Sequence, residues 1–357
     1  MERRSFIQTA AVGAALAAPA VVRAQPQIRW RLASSWPTAL DTIYGGADTV
    51  AKRVSAATGG RFEISVHGPG ELVPALQVAD AVQQGTVECA HTASVFFFGQ
   101  DPTFALDGQI PFGMTSRQMT AWMYSGGGLQ LLREFYRDYN IVNFACGNTG
   151  TQMGGWYRKE IKSLADIKGL KMRIGGFGGK VLERIGGVPQ NIPGGDIYPA
   201  LEKGTIDSAE WVGPYDDLKL GFNKVAPFYY YPGWWEGGPQ LDFFINNKAF
   251  DGLSSEYKAI VEAACTAAHV DMQAKYDGRN PAALKQLVGA GTKLRAFPKD
   301  VMNAAFKASM QFYDELSAKN ENWKKVYADY SKFRAEQNLW FRFTEAGFDG
   351  FMQAQKL

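Results

Sequence analysis

The chain has 357 residues, of which 46% are hydrophobic and 20% charged, and this composition is typical of a globular protein. It excludes intrinsic disorder, collagen-like repeats and a coiled coil, and the length favours about two domains. The 38 Lys and Arg residues against 35 Asp and Glu residues leave a net charge of +3, so we expect no nucleic acid partner. The Cys and His residues lie far apart and lack the spacings of zinc sites.

Residues 1–24 have the pattern of a secretory signal peptide. Arg3 and Arg4 open the segment, an uncharged apolar run follows, and Val22-Arg23-Ala24 places small residues around a cleavable bond. The apolar run is shorter than the roughly 20 residues that span a bilayer. The adjacent arginines, followed by Ser5-Phe6-Ile7, resemble a twin-arginine signal, which directs folded proteins across the bacterial inner membrane. We therefore expect a soluble mature protein in the periplasm.

Strand and helix patterns alternate through the first part of the chain. Periodicity predicts strands over 27–32, 62–66 and 87–91, with helices over 41–57 and 75–84 between them. Such alternation favours an α/β fold with mostly parallel sheets.

Two similar segments of the sequence suggest that the chain forms two lobes of related design. The segment AVQQGTVECAHTA begins at Ala81, and ALEKGTIDSAEWV begins at Ala200. Each predicts the end of a helix, a glycine cap at Gly85 or Gly204, and a short strand. We expect the lobes to be joined by strands that cross between them, with a ligand cleft at the carboxyl ends of those strands.

These patterns predict an α/β, two-lobed binding protein with a helical C-terminal region. Lobe 1 is expected over 25–150, lobe 2 over 151–250, and the helical region, which packs on both lobes, over 251–357. Its helices are predicted at 255–276, 281–288, 300–319 and 322–337.

The glycine-rich segment Gly175–Lys180 does not match a phosphate-binding loop. Ile174 stands where the first glycine is required, and Val181 replaces the Ser or Thr that binds magnesium. No GxSxG nucleophile motif is present in the sequence either.

Four polar residues are candidates for a binding site. Arg173 ends an apolar strand beside the glycines, where its guanidinium can bind a carboxylate through two parallel hydrogen bonds, or lie exposed at the strand end. Glu210 and Glu236 lie among apolar and aromatic residues, so they require a cation if they are buried. That cation is Arg173 or a hard metal ion, to which Gln152 can add an amide oxygen. The alternative is that both glutamates are solvated at loop ends.

Three segments resemble the solute receptors of tripartite ATP-independent periplasmic (TRAP) transporters. They are Gly169-Leu-Lys-Met-Arg-Ile-Gly, Leu182-Glu-Arg-Ile-Gly-Gly-Val-Pro and Asp196-Ile-Tyr-Pro-Ala-Leu-Glu-Lys-Gly-Thr-Ile-Asp. The resemblance extends from Ser34 to the C-terminal helices and is most specific over 164–210. It implies that Arg173 binds the carboxylate of the ligand.

One departure from the family pattern resembles a particular subset. Many members carry Gln-Glu-Asn where this chain has Ala209-Glu210-Trp211. Together with Gln152 and Trp234-Trp235-Glu236, this resembles the receptors that bind 2-oxo acids or lactate with a metal ion. The resemblance implies metal ligands from Gln152, Glu210, the Trp211 backbone carbonyl and Glu236, with Gln152 and Trp211 also contacting the substrate. Na⁺ is the favoured cation and Ca²⁺ the alternative.

The sequence therefore favours a periplasmic receptor that captures a small, pyruvate-like 2-oxo monocarboxylate and delivers it to the membrane permease subunits of a TRAP transporter. We expect no enzymatic activity. The alternative is a metal-assisted lyase or hydrolase, against which stands the lack of an evident general base or nucleophile beside the site. The resembling subset includes homodimers, and Trp340, Phe341 and Phe343 are suited either to such an interface or to the core.

Overall fold

The computed structural model describes residues 27–355, and the predicted signal segment 1–24 lies outside them. The strands are β1 (Ile28–Ser34), β2 (Phe62–His67), β3 (Cys89–Thr92), β4 (Ile141–Asn148), β5 (Trp156–Tyr157), β6 (Lys171–Arg173), β7 (Val188–Gln190), β8 (Ser208–Ala209), β9 (Phe228–Tyr231), β10 (Gln240–Asn246) and β11 (Lys293–Ala296). The α-helices are α1 (Gly45–Ala57), α2 (Val78–Gln83), α3 (Ala105–Gly108), α4 (Ser116–Ser125), α5 (Gly128–Arg137), α6 (Gly176–Arg184), α7 (Gly194–Lys203), α8 (Pro214–Leu220), α9 (Asn247–Asp251), α10 (Ser255–Gly289), α11 (Lys299–Lys319), α12 (Glu321–Phe343) and α13 (Glu345–Gln353).

The strands form two sheets, one in each lobe. The first has the order β2-β1-β3-β10-β4 and the second the order β11-β9-β5-β8-β6-β7. In the first sheet, β10 is antiparallel to both of its neighbours, and in the second, β5 is antiparallel to both of its neighbours. The remaining pairs are parallel. This arrangement confirms the predicted α/β fold with two lobes.

Between β1 and β11 the chain crosses between the lobes three times, the last time through α10, which makes neither lobe continuous in sequence. Residues 149–155 lead from β4 to β5, and residues 232–239 lead back from β9 to β10. Strand β10 therefore pairs in the first sheet although it falls in the range predicted for lobe 2, and β11 pairs in the second sheet although it falls in the range predicted as helical. Hydrogen bonding on both edges and complete burial hold β10 between β3 and β4.

Helix α10 is continuous through Pro281, where the sequence predicted two helices separated by a break. Tyr276 and Leu287, on either side of the proline, are both buried. The helix packs on α1 and β4 in the first lobe and on α8 in the second. The Asn280 side chain also accepts a hydrogen bond from the backbone N–H of Tyr215 in α8 (3.0 Å). These contacts offset the hydrogen bond that a proline removes from a helix, and α10 thereby connects both lobes.

The aromatic residues near the C-terminus are mostly exposed. Trp340 and Phe343 are 57% and 74% exposed, which excludes the core for these two residues and leaves the alternative of an interface. The ring of Phe341 lies 5.1 Å from the guanidinium carbon of Arg117. Among residues 27–355, no helix is both long enough and apolar enough to cross a membrane.

The two similar segments that begin at Ala81 and Ala200 form equivalent structural units. Gly85 follows α2 and Gly204 follows α7, with φ angles of +71° and +73° that favour glycine. Each glycine leads to a strand, β3 or β8, that runs parallel to a neighbour in its own sheet. The residues after these two strands meet at the cleft between the lobes.

Candidate ligand-binding site

A cavity with an empty volume of about 370 Å³ lies where the two lobes meet, at the carboxyl ends of several strands. The cavity is lined by Trp36, Ile43, Ala93, Val95, Phe96, Gln109, Thr149, Gln152, Arg173, Glu210, Trp211, Val212, Glu236, Pro239 and Leu241. The charged residues come from the second lobe and the crossing segments, whereas the first lobe supplies most of the apolar surface.

The two crossing segments pair with each other and thereby place Gln152 beside Glu236. The backbone N–H of Gln152 donates to the carbonyl of Glu236 (3.2 Å), and the N–H of Gly233 donates to the carbonyl of Gln152 (2.9 Å). A further backbone bond joins Thr149 to Pro239 (3.2 Å). Both candidate side chains are therefore fixed to the connection between the lobes.

Arg173 and Glu210 form a buried ion pair in the cavity. Strands β6 and β8 run side by side, and the N–H of Glu210 donates to the carbonyl of Arg173 (3.1 Å). Arg173 Nη1 contacts Glu210 Oε1 and donates to the Glu210 carbonyl (2.9 Å), while Nε donates to the carbonyl of Ile192 (3.1 Å). Each residue is only 3% exposed, which excludes the alternative of a solvated strand-end arginine. Arg173 Nη2 makes no hydrogen bond within residues 27–355 and is available to a ligand.

Two side-chain oxygens in the cavity are buried without a hydrogen-bond partner. Gln152 Nε2 donates to Thr149 Oγ1 (3.1 Å), which fixes the amide orientation and leaves Gln152 Oε1 unpaired within the described part of the chain. Gln109 Nε2 donates to Glu236 Oε1, and Glu236 Oε2 is likewise unpaired there. Buried oxygens of this kind generally have a partner, so both indicate a bound group.

Burial raises the pKa values of both glutamates. The pKa of Glu210 rises to about 7, even though the Arg173 guanidinium lowers it. The pKa of Glu236 rises well above its ordinary value because of burial and, to a lesser extent, repulsion from Glu210. A buried carboxylate remains ionised only where cations or donors compensate its lost hydration. The protein alone supplies one guanidinium for two carboxylates in this cavity.

Two tryptophans, one from each lobe, form an aromatic wall of the cavity. The Trp211 ring lies 5.1 Å from the guanidinium carbon of Arg173, a favourable cation–π contact. The Trp36 ring meets the Trp211 ring edge to face, with centroids 6.3 Å apart. This contact between the lobes, together with the near-complete burial of the polar residues, shows that the lobes are closed over the cavity.

All of the residues predicted for the site line this one cavity: Gln152, Arg173, Glu210, Trp211 and Glu236. Their roles as ligands stay predictions. The sequence interpretation missed Gln109, Thr149 and Trp36. Gln109 and Thr149 lie in segments without a recognisable motif, whereas Trp36 lies in the Ser34-Ser35-Trp36-Pro37 segment that follows the first predicted strand.

The oxygen atoms of the cavity suit a hard cation. Besides Gln152 Oε1 and Glu236 Oε2, the Trp211 carbonyl oxygen accepts no hydrogen bond within residues 27–355. Carboxylate, amide and backbone carbonyl oxygens are the ligands that Na⁺ and Ca²⁺ bind in proteins. In the same part of the chain, no group of three or more His, Cys, Asp or Glu residues could hold a metal. A cation in this cavity therefore depends on the amide and the carbonyl as well as on two carboxylates.

A two-lobed fold with a closed polar cavity defines a solute-binding protein, and comparison with known sequences agrees. The bacterial extracellular solute-binding protein family 7 (DctP) matches residues 32–320. The monocarboxylate 2-oxoacid-binding periplasmic protein of Nostoc sp. strain PCC 7120 is 47% identical over 365 aligned residues, covering 100% of both chains. The chain belongs to family 7 of the bacterial extracellular solute-binding proteins.

Solved structures of TRAP solute-binding proteins are also similar. That of Bordetella bronchiseptica RB50, a dimer with calcium and picolinate in one site, is 55% identical with a TM-score of 0.91, covering 92% of this chain and 98% of the other. That of Pseudoalteromonas atlantica T6c, with sodium and pyruvate, is 38% identical with a TM-score of 0.88, covering 92% and 100%. That of Colwellia psychrerythraea, with calcium and pyruvate, is 37% identical with a TM-score of 0.87, covering 90% and 98%.

Proposed function

We propose that the protein is the periplasmic receptor of a TRAP transporter and captures a small 2-oxo monocarboxylate, such as pyruvate, together with a metal cation. The observation that carries this proposal is the convergence of Arg173, Glu210 and Glu236 on a small closed cavity with unpaired oxygens. The relatives that bind pyruvate with sodium or calcium support it.

The charges in the cavity require a cation once the ligand is bound. A ligand carboxylate, Glu210 and Glu236 would place three negative charges around the single guanidinium of Arg173. Na⁺ would offset part of the excess and Ca²⁺ all of it. Gln152 Oε1, Glu210, the Trp211 carbonyl and Glu236 would hold the cation, and the bound cation would supply a positive charge to which a carboxylate oxygen and the adjacent 2-oxo oxygen bind together.

Arg173 then binds the ligand carboxylate from the second lobe. Its Nε and Nη1 already donate to protein carbonyls, so Nη2 is the nitrogen that binds the ligand. This differs from the sequence expectation of two parallel bonds from a free guanidinium. The ion pair with Glu210 and the contact with Trp211 hold the guanidinium plane in place before the ligand arrives.

The ligand would then be delivered to membrane permease subunits when the lobes open. The twin-arginine signal pattern of residues 1–24 supports a periplasmic location. The Bordetella relative that crystallised as a dimer, and the exposed aromatic residues of α12 and α13, support a homodimer. Sedimentation velocity of the purified mature chain tests this last point directly.

We also propose that the protein binds its ligand without converting it. The ionisable side chains that line the cavity are Arg173, Glu210 and Glu236, and each is assigned to binding. Purified protein incubated with ¹³C-labelled pyruvate and either cation should leave the pyruvate spectrum unchanged after the protein is removed. Accumulation of a product would instead favour the metal-assisted lyase or hydrolase.

A further inference from the structure

Trp36 is held in the wall of the cavity by a histidine that does not itself reach the cavity. The indole Nε1–H of Trp36 donates to Nδ1 of His91 (2.9 Å). His91 lies on β3 and is completely buried, and Trp36 is 3% exposed. Because an indole nitrogen can only donate, Nδ1 of His91 must be unprotonated and Nε2 must carry the hydrogen.

A bulge in the first sheet provides the partner for that hydrogen. Leu241 of β10 pairs with Gly147 of β4, but the next residue, Asp242, pairs with Ala145. Cys146 is therefore the extra residue of a β-bulge. Its carbonyl lies 3.2 Å from His91 Nε2 and accepts the Nε2–H. The bulge thus fixes the tautomer of His91, and the tautomer fixes the indole of Trp36.

The charged side chains of the cavity and most of its apolar side chains come from different places. Arg173 and Glu210 lie on the second lobe, and Gln152 and Glu236 lie on the crossing segments. The apolar side chains from the first lobe are Trp36, Ile43, Ala93, Val95, Phe96 and Leu241. A 2-oxo acid whose carboxylate and 2-oxo group face the polar side therefore presents its carbon chain to the first lobe.

Trp36 is the largest of these apolar side chains, and its ring is packed on two sides. Its centroid lies 5.7 Å from that of Phe96 and 6.3 Å from that of Trp211. With the indole also bonded to His91, the ring has no room to turn aside for a longer ligand. The position of Trp36 thus limits the length of the carbon chain.

From this geometry, and on the basis of the proposed function, we propose that Trp36 is the specificity-determining residue that restricts the receptor to short 2-oxo acids. His91 is the positioning residue that holds Trp36 in place. The site would bind pyruvate and 2-oxobutyrate and would discriminate against branched or longer acids such as 4-methyl-2-oxopentanoate.

The test measures the ratio of the dissociation constants for pyruvate and 4-methyl-2-oxopentanoate by calorimetry, with the same cation present throughout. Trp36→Ala opens the wall and should shift the ratio at least about tenfold toward the longer acid, since each pocket methylene changes binding by roughly tenfold or more. His91→Leu and Trp36→Phe, which both remove the indole–imidazole bond, should shift it in the same direction by a smaller factor.

Two further variants separate positioning from general stability. His91→Gln retains an acceptor for the indole and a donor for the Cys146 carbonyl, and it should restore the wild-type ratio. Trp30→Phe changes a tryptophan that is also buried but packs on Phe62 in the other core cluster, and it should leave the ratio unchanged. A lowered melting temperature alone would change both affinities in parallel and leave their ratio constant.

The outcomes distinguish this inference from the proposed function. If wild-type protein binds neither acid, the proposed function is wrong, and this inference falls with it. If wild-type protein binds pyruvate but Trp36→Ala and Trp36→Phe retain the wild-type ratio, only the role of Trp36 is wrong. If the Trp36 variants shift the ratio but a folded His91→Leu variant retains the wild-type ratio, the positioning role of His91 is wrong.

Discussion

Asp41 of the first lobe accepts hydrogen bonds from the hydroxyl of Tyr215 in the second lobe, at 3.1 and 3.2 Å from its two carboxylate oxygens. Lys219, one turn further along α8, pairs with the same carboxylate. Arg279 of α10 joins it at 3.1 Å and also donates to Thr42 (2.7 Å). A single carboxylate therefore connects the two lobes at the rim of the closed cleft.

We predict that Asp41→Asn weakens ligand binding by favouring the open arrangement of the lobes. Exposed ion pairs contribute about 0.2–1 kcal/mol each, and this network contains two, so we expect a rise in Kd of about two- to thirtyfold. Calorimetry with pyruvate at low and high salt measures the effect, which should shrink as salt screens the charges. Glu63→Gln, which breaks an ion pair within the first lobe, is the control and should not change Kd.

Arg173 should not be replaceable by lysine. A lysine cannot donate to the Ile192 and Glu210 carbonyls and to a ligand through one rigid plane. We expect Arg173→Lys to weaken pyruvate binding at least about tenfold and Arg173→Ala to weaken it further, since a hydrogen bond to a charged group contributes about 1.5–3 kcal/mol. Arg184→Lys, which changes an arginine paired with Glu315 on the surface, is the matched control. Near-native affinity of ligand-stripped Arg173→Ala would refute the assignment.

The two cavity glutamates should control the metal and the ligand together. Glu210→Gln and Glu236→Gln remove a charge each from the proposed cation site, so metal affinity should fall, and because metal and ligand binding are reciprocally linked, pyruvate affinity should fall with it. Elemental analysis of the purified variants and calorimetric titration with pyruvate measure the two losses. Glu183→Gln, on the surface of the same lobe, should retain both. Loss of pyruvate binding with full retention of metal would contradict the linkage.

His269 should make the fold sensitive to acid. Burial lowers its pKa to about 4, whereas an unfolded chain protonates histidine near pH 6.5. The unfolded state therefore binds more protons between these values, and the free energy of unfolding should fall as the pH decreases from 6.5 to 4. Between pH 7 and 4.5 this contribution is about 2 kcal/mol. In urea unfolding, His269→Gln should lose about 2 kcal/mol less unfolding free energy than wild-type protein between pH 7 and 4.5. Equal losses in the wild-type protein and the variant would refute the role of His269.

The sequence predicts much of the fold because local patterns determine it. The alternation of strands and helices and the glycines at Gly85 and Gly204 depend on short-range sterics, and both predictions are confirmed. Arg173, Glu210 and Glu236 could be selected because charged residues in apolar segments require a buried partner. The structure shows that partner for Arg173 and Glu210.

Features that depend on long-range pairing could not be predicted in the same way. The place of β10 in the first sheet depends on strands more than 90 residues away in sequence, and the continuity of α10 at Pro281 depends on contacts with both lobes. Gln109 lies in no motif, and only the fold brings it to Glu236. The two hydrogen bonds that connect the Cys146 carbonyl, His91 and the Trp36 indole likewise exist only once the bulge has formed.

The central prediction is that a cation binds the ligand together with Arg173, Glu210 and Glu236. Calorimetry tests this directly. The protein is first stripped of ligand, treated with chelator and transferred to a choline-based buffer. Pyruvate and propionate are then titrated before and after addition of Na⁺ or Ca²⁺. We predict that pyruvate binds tightly only with the cation present and at least about tenfold more tightly than propionate, which lacks the 2-oxo oxygen. Equal binding of pyruvate without any metal, and equal binding of propionate, would contradict the account.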